Sequence, residues 1–417
     1  MTVRRCDAGE LELGGGLETL LQASLQRVEV GHELEVATAS RETALQLPGW
    51  ARVAGHQVVD EKVEGNVPRR AYVVRVRRGP STRILAGDLV DRDAGLPLRT
   101  GSELHTADLR RRVPLPDRVE GGRGLSPIGA EREEGAPPFD WQLNERDRMW
   151  TDEIADLAER ASAAQWDASV DIPWEAAKDL PDDIERAVAQ VMTYVAQNEY
   201  AALYVPSYFL RRVNPAYVEV LLWLASHVHD EARHVEVFTK RSLVGGYNGY
   251  ALASTELSLH TLLEERDFSA AALLLNVLGE GTFLDLLRFI ERHAPDRATA
   301  TAARLAHRDE LRHVRFGIAH VRRVVGLDPD KRRELSAAVE GRAAKLVSLS
   351  GLSPVIGESL TVMAAGSLNV SDLSEGAAAV KGLMRQMDAN RIKRLRAAGF
   401  DEGQARHLSD LHTPNLM

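Results

Sequence analysis

Along the first 78 residues, hydrophobic positions change period every ten residues or so. Leu17–Gln26 and Ser40–Ala54 repeat at helical spacing, whereas Val28–Val36 reads as a turn and a strand. Gln57–Val63 and Ala71–Val76 alternate and are rich in β-branched residues, which suits strands. With a first strand around Cys6, the order is βαβαββ, an α+β layer domain over 1–78. From 79 to 139 no apolar period is sustained. Pro114, Pro116, Pro127, Pro137 and Pro138 punctuate a stretch rich in Gly, Arg and Asp, expected to be a linker with a short ordered part at Arg83–Val90. From Asp140 the period becomes helical and stays so. Helices are expected over 145–164, 182–204, 214–243, 253–265, 267–293 and 296–324, with two or three more between 330 and 400. Gly245, Gly246 and Pro295 mark breaks between them. Residues 140–325 are thus predicted to form an all-α bundle and 326–417 a helical extension packing on it.

The totals narrow the function. At 417 residues the chain exceeds what one core holds. Its net charge of −9 argues against a sequence-independent grip on nucleic acid. The basic run Arg391–Arg396 is read as a solvated face. Cys6 is the only cysteine, so neither an intrachain disulfide nor a thiolate metal cage can form. The N-terminus precedes no signal-like apolar segment, and the run Ala270–Leu278 falls short of the ~20 residues a membrane span needs. A cytoplasmic protein without membrane contact is the expectation.

One repeat carries chemistry. Asp230-Glu231-Ala232-Arg233-His234-Val235 recurs as Asp309-Glu310-Leu311-Arg312-His313-Val314. On a helix, residues i and i+3 lie on one face about 5–6 Å apart at Cβ, so each Glu and His can share one metal ion. Upstream of each copy stands a glutamate among apolar residues: Glu199, 32 residues before Glu231, and Glu280, 30 residues before Glu310. A lone carboxylate there would be costly to bury. A Glu from each of two helices and Glu-x-x-His from each of two more is the donor set of dinuclear carboxylate bundles. Four carboxylates balance two divalent ions, and hard oxygen donors with two imidazoles favour Fe or Mn over Zn. A single Glu-x-x-His is usually a surface pair; its repetition at matched spacing favours the metal site. Asp230 and Asp309 are expected to accept the free N–H of a ligating histidine, with Arg233 and Arg312 pairing to them. The alternative is that these four form solvent-facing salt bridges.

At these residues the chain resembles the ferritin-like superfamily of di-iron oxidases and oxygenases. Trp166 to Trp174, and the ending from Arg396 through His412 to Met417, resemble the same group. The resemblance covers 140–417 and implies Glu199, Glu231, His234, Glu280, Glu310 and His313 as ligands. It also implies two irons (or Mn with Fe), O2 as co-substrate, an external electron donor and a homodimer. Two departures narrow the choice. Phe238 stands where reductase small subunits keep a radical tyrosine, and Ala306 where arylamine N-oxygenases carry an extra histidine. His227, four residues before Glu231, is read as a hydrogen-bonded helix histidine, an extra ligand being the alternative. His307 and His320 are read as structural. Tyr194, Tyr200, Tyr204 and Thr282 are candidates to line a pocket. Residues 1–78 resemble the TusA/SirA sulfur-carrier family through Gly31–Val36 and Leu47-Pro48-Gly49-Trp50-Ala51 to Gly55-His56. Leu13-Gly14-Gly15-Gly16 replaces that family's Cys-Pro-x-Pro, which leaves no thiolate to carry sulfur and implies a degenerate relative. Cys6 is expected to be a buried, inert thiol.

The expected function is an O2-activating di-iron enzyme acting on a small molecule, served by a redox partner protein. The alternatives are a ferroxidase or other iron-handling protein, and an interaction module whose dinuclear metal site is structural.

Overall fold

The computed structural model describes residues 4–66, 71–80, 96, 103–120, 124–130, 137–177, 180–348 and 353–412. Arg83–Val90 and the last five residues, 413–417, lie outside these. The chain divides into two compact units, Met1–Gly95 and Leu96–Met417.

The first unit follows the order read from the sequence: β1 (Arg4–Gly9), α1 (Leu17–Gln26), β2 (Glu33–Thr38), α2 (Arg41–Val53), β3 (Gln57–Glu64) and β4 (Ala71–Arg77). The sheet order is β1-β2-β4-β3, with β1 and β2 parallel and the other pairs antiparallel. Cys6 lies opposite Val36, and Val36 opposite Val74. These residues point to one face, where Leu17, Leu21 and Leu25 of α1 and Leu47 and Ala51 of α2 close a single core. Cys6 is buried there, as expected. The opposite face shows the other half of the strand period, a net of ion pairs joining Arg5, Glu35, Lys62, Glu64 and Arg75.

In the second unit, part of the expected linker is ordered. Residues 106–108 form a 3-10 turn and α3 (Leu109–Arg112) follows. Arg110 fixes this piece, its Nε 2.6 Å from Glu219 Oε1 and its Nη2 donating to the Ala216 carbonyl at 2.8 Å. The helix expected to begin at 145 begins later, as α4 (Ile154–Ala163). The residues before it spend their backbone groups elsewhere: Leu143 N–H donates to the Arg212 carbonyl and Asn214 N–H to that of Leu143.

Next come α5 (Asp182–Leu210), α6 (Val218–Leu243) and α7 (Ala253–Leu263). The run Phe268–His293 comprises α8 (Phe268–Ala271), a π-helical stretch (Ala272–Glu280) and α9 (Gly281–His293). It is followed by α10 (Arg297–Leu327), α11 (Pro329–Lys345), α12 (Pro354–Ala365), α13 (Val370–Ala397) and α14 (Glu402–His412). The helix α5 continues past its expected end at 204 because Val205 and Phe209 extend its buried face. Together α5, α6, the Phe268–His293 run and α10 form a four-helix core. Val195, Trp223, Val237, Leu278 and Phe316 are among its fully enclosed side chains. The contiguous apolar run understated Phe268–His293: the helix is long and apolar enough to cross a membrane, and all of its most apolar window is buried inside the fold. The helix α12 packs on α5, and α13 on α9.

Candidate metal centre

Each core helix delivers its donors at one level. From α5 comes Glu199, from α6 His227, Glu231 and His234, from the π-helical stretch Glu280, and from α10 Glu310 and His313. All seven are buried. Their donor atoms fall into two groups, each with its ligand atoms within 4.8 Å of one another: Glu199, Glu231, His234 and Glu310, and then His227, Glu231, Glu280 and His313. Glu231 belongs to both. Its Oε2 is 3.3 Å from His234 Nδ1, while Oε1 is 2.9 Å from His313 Nδ1 and 3.4 Å from His227 Nε2. Glu310 lies between the two repeat histidines, Oε1 3.5 Å from His234 Nδ1 and Oε2 3.4 Å from His313 Nδ1. The six residues predicted from the sequence thus come together, and His227 joins them.

These residues fit two divalent ions. Glu199 Oε1, Glu231 Oε1, both oxygens of Glu310 and His313 Nδ1 are buried without a hydrogen-bond partner, even where a neighbour is near. Buried polar atoms left unmatched cost a few kcal/mol each unless something else binds them. They converge on one spot, so cations are the natural complement. Burial, then the neighbouring Glu231 carboxylate, pushes the Glu199 carboxyl well above the usual range. Burial and Glu310 likewise raise Glu280. At Glu231 burial works upward too, but His234, His227 and His313 outweigh it and hold the group well below the usual range. Without ions, protons must share out this crowded charge; two divalent ions would neutralise four carboxylates outright.

Around the donors runs a crossed network. The Nε2 of His234 is 3.3 Å from Asp309 Oδ2 on the other repeat, and His313 Nε2 is 3.3 Å from Asp230 Oδ2. Each aspartate therefore orients the histidine of the opposite helix, leaving Nδ1 turned to the centre. Arg233 Nη2 donates to both aspartates, at 2.7 Å to Asp230 and 2.9 Å to Asp309. Arg312 Nη2 does the same, at 2.9 and 2.6 Å. The four are interior or nearly so, not the solvent-facing alternative. Carboxylates in this position fix tautomer and ring direction.

Other contributors were not foreseen in these roles. The indole N–H of Trp166 donates to Asp309 Oδ2 at 2.7 Å, and Gln165 Nε2 donates to Asp230 Oδ1 at 3.2 Å. Asn276 Nδ2 donates to Glu280 Oε2 at 2.7 Å. Asn276 and Glu280 stand four residues apart, so the pair meets along one face of this helical run.

The pocket residues divide. Tyr194 is buried, and its phenol is pushed up by that burial. Tyr200 and Tyr204 are 45% and 56% exposed on the outer side of α5, so they do not line an inner pocket. Being one and five residues beyond Glu199, they fall off its face. Thr282 is enclosed, its hydroxyl donating to the Leu278 carbonyl at 2.7 Å and accepting from Arg391 Nε of α13 at 3.3 Å. His320 is structural, held between Ser269 Oγ and the Trp150 carbonyl.

An apolar cavity with about 280 Å³ of empty space, its mouth included, abuts the second donor group. Phe209, Leu224, Phe268, Leu275 and Phe316 line it, with His227 and Asn276 as its polar edge. A smaller one of about 210 Å³, also touching Leu275, reaches Glu199 and Glu280.

No protein-family description matches the chain, and no curated protein matches it. Solved structures of variants of R2-like ligand-binding oxidase are similar to it. One, with an aerobically reconstituted Mn/Fe cofactor, is 17% identical and covers 60% of this chain and 96% of its own, with a TM-score of 0.42. A second of the same kind is 17% identical over 62% of this chain and 90% of its own, with a TM-score of 0.41. A third, reconstituted anaerobically, is 18% identical over 60% and 93%, with a TM-score of 0.42. Likeness at this level leaves the chemistry of the centre to this chain's own side chains: a buried Glu/His group able to bind two metal ions.

Proposed function

We propose that this chain is a di-iron oxidase or oxygenase that uses O2 to oxidise a small apolar molecule. The observation that carries this reading is the pair of overlapping buried donor groups sharing Glu231. Oxygen-rich donors with imidazole suit iron or manganese. When bound, two such ions would supply the electrons and the Lewis acidity that O2 chemistry requires. The chain's part is to hold and to exclude. Asp309 and Asp230 keep His234 and His313 in one tautomer, Arg233 and Arg312 neutralise those aspartates, and Asn276 steadies Glu280. Trp223, Phe238 and Leu278, none of them solvent-accessible, keep water from the centre. The aromatic-lined cavity beside His227 and Asn276 offers an uncharged, apolar substrate a place against the second donor group. Electrons for repeated turnover would come from an external donor.

The test is anaerobic loading with Fe(II), iron counted per chain, then O2 uptake followed with and without candidate apolar substrates. Two irons per chain and substrate-accelerated O2 consumption are expected. Two irons with O2 consumed but no organic product would move the protein to iron oxidation, and no O2 reaction would leave the metal structural. Glu231→Ala should abolish binding of both ions, because that carboxylate serves both groups.

A further inference from the structure

The two donor groups are unequal, and one residue outside the repeat makes them so. Four positions before Glu231 stands His227; four before Glu310 stands Ala306. One helical turn along α6 keeps His227 on the face of Glu231. Its side chain is 2% exposed, with Nε2 3.0 Å from Glu280 Oε1 and 3.4 Å from Glu231 Oε1. Its ring lies almost parallel to that of His313, centroids 3.8 Å apart at 25°. Two imidazoles and two carboxylates therefore converge on one point, with Glu231 reaching from there to the other group. We propose that His227 is a seventh protein ligand, binding through Nε2 the ion that Glu231, Glu280 and His313 hold. This rests on the dinuclear reading above.

The consequence is a differentiated centre. One ion receives two nitrogens and two carboxylates; the other, held by Glu199, Glu231, Glu310 and His234, receives one nitrogen and three carboxylates. Added imidazole favours Fe, Ni or Cu over Mn or Mg, whereas an oxygen-rich set favours the harder ions. His227 also borders the apolar cavity, so the nitrogen-richer group is the one that faces it.

The experiment uses the full chain, loaded anaerobically with Fe(II) and dialysed against a graded chelator, as wild type, His227→Ala and His227→Gly. The wild type retains two irons. His227→Ala loses the ion of the nitrogen-richer group, with affinity down by more than the roughly 10–100-fold typical of losing an outer hydrogen bond. Added imidazole restores that ion in His227→Gly. Independently, [15N]histidine labelling with pulsed EPR of the wild-type mixed-valence form counts three metal-bound histidine nitrogens, a readout that needs no variant to fold. Two bound nitrogens, or an unchanged two-iron affinity in His227→Ala, overturn this inference and leave the dinuclear reading standing. Fewer than two irons in the wild type overturns both.

Discussion

Gly317 offers a test of how tightly α10 is seated against the π-helical stretch behind Glu280. It lies four residues after His313 on α10, and a Cβ added there would come within 2.5 Å of Asn276 Cβ. It would also come 3.2 Å from Val277 Cγ2 and 3.3 Å from the Ala272 carbonyl oxygen. Carbon atoms pack at about 3.5–4.0 Å, so Gly317→Ala must open the helix pair by about 1 Å. The obstructing atom is a Cβ fixed to its backbone and cannot rotate away. Overpacking of this kind costs about 1–3 kcal/mol, and the upper end applies. Alanine in a helix recovers about 1 kcal/mol over glycine, leaving a net loss of about 2 kcal/mol. At about 2.1 cal/mol/K of unfolding entropy per residue over the unit Leu96–Met417, 1 kcal/mol moves Tm by roughly 1.5 °C, so Tm should fall by about 3 °C. Because Asn276 moves with the clash and donates to Glu280, the variant should also bind Fe(II) more weakly. The control is Gly341→Ala, exposed within α11 and with nothing within 4 Å of the added Cβ. It should gain up to about 1 kcal/mol from propensity alone. Thermal melts of metal-free protein by circular dichroism, followed by iron titration, measure both effects. If Gly317→Ala melts at or above wild type, as Gly341→Ala should, the packing argument fails.

Other expectations follow from single residues. Burial depresses His320 from 6.5 to about 4. The unfolded chain therefore binds this proton first, and about 3 kcal/mol of stability present above pH 6.5 drains away as pH falls to 4. His320→Gln should show a shallower loss over that window in urea titrations, and an identical slope would refute the assignment. Trp166→Phe removes a buried hydrogen bond to the Asp309 carboxylate and should cost about 1.5–3 kcal/mol of unfolding free energy in urea titrations; no change would mean that the Arg233 and Arg312 contacts suffice. Glu199→Gln, at a carboxyl pushed by burial toward its neutral form, should cost metal-free protein less than about 1.5 kcal/mol. It should still erase part of the metal-induced rise in Tm, where each ion at a hundred times its Kd contributes about 2.7 kcal/mol.

The sequence by itself determined the element order of the first unit, the helical course of the second and six of the seven buried Glu and His residues that the structure brings together. Those features are local or periodic: strand alternation, helical spacing, and a Glu-x-x-His that sets two side chains on one face whatever surrounds it. The repeat even implied the aspartates and arginines, since an ion pair buried once and copied is seldom decoration. What the tertiary structure decided lies between helices. Only the packing of α6 against α10 shows that each aspartate serves the other helix's histidine. Only the approach of the π-helical stretch turns His227 from one more helix histidine into a neighbour of Glu280. The same holds for Trp166 on Asp309, and for Tyr200 and Tyr204, whose adjacency to Glu199 in the chain puts them on the outside of α5. Sequence spacing fixes which face of an element a side chain occupies; which element meets that face, and at what depth, is fixed by burial of the whole core.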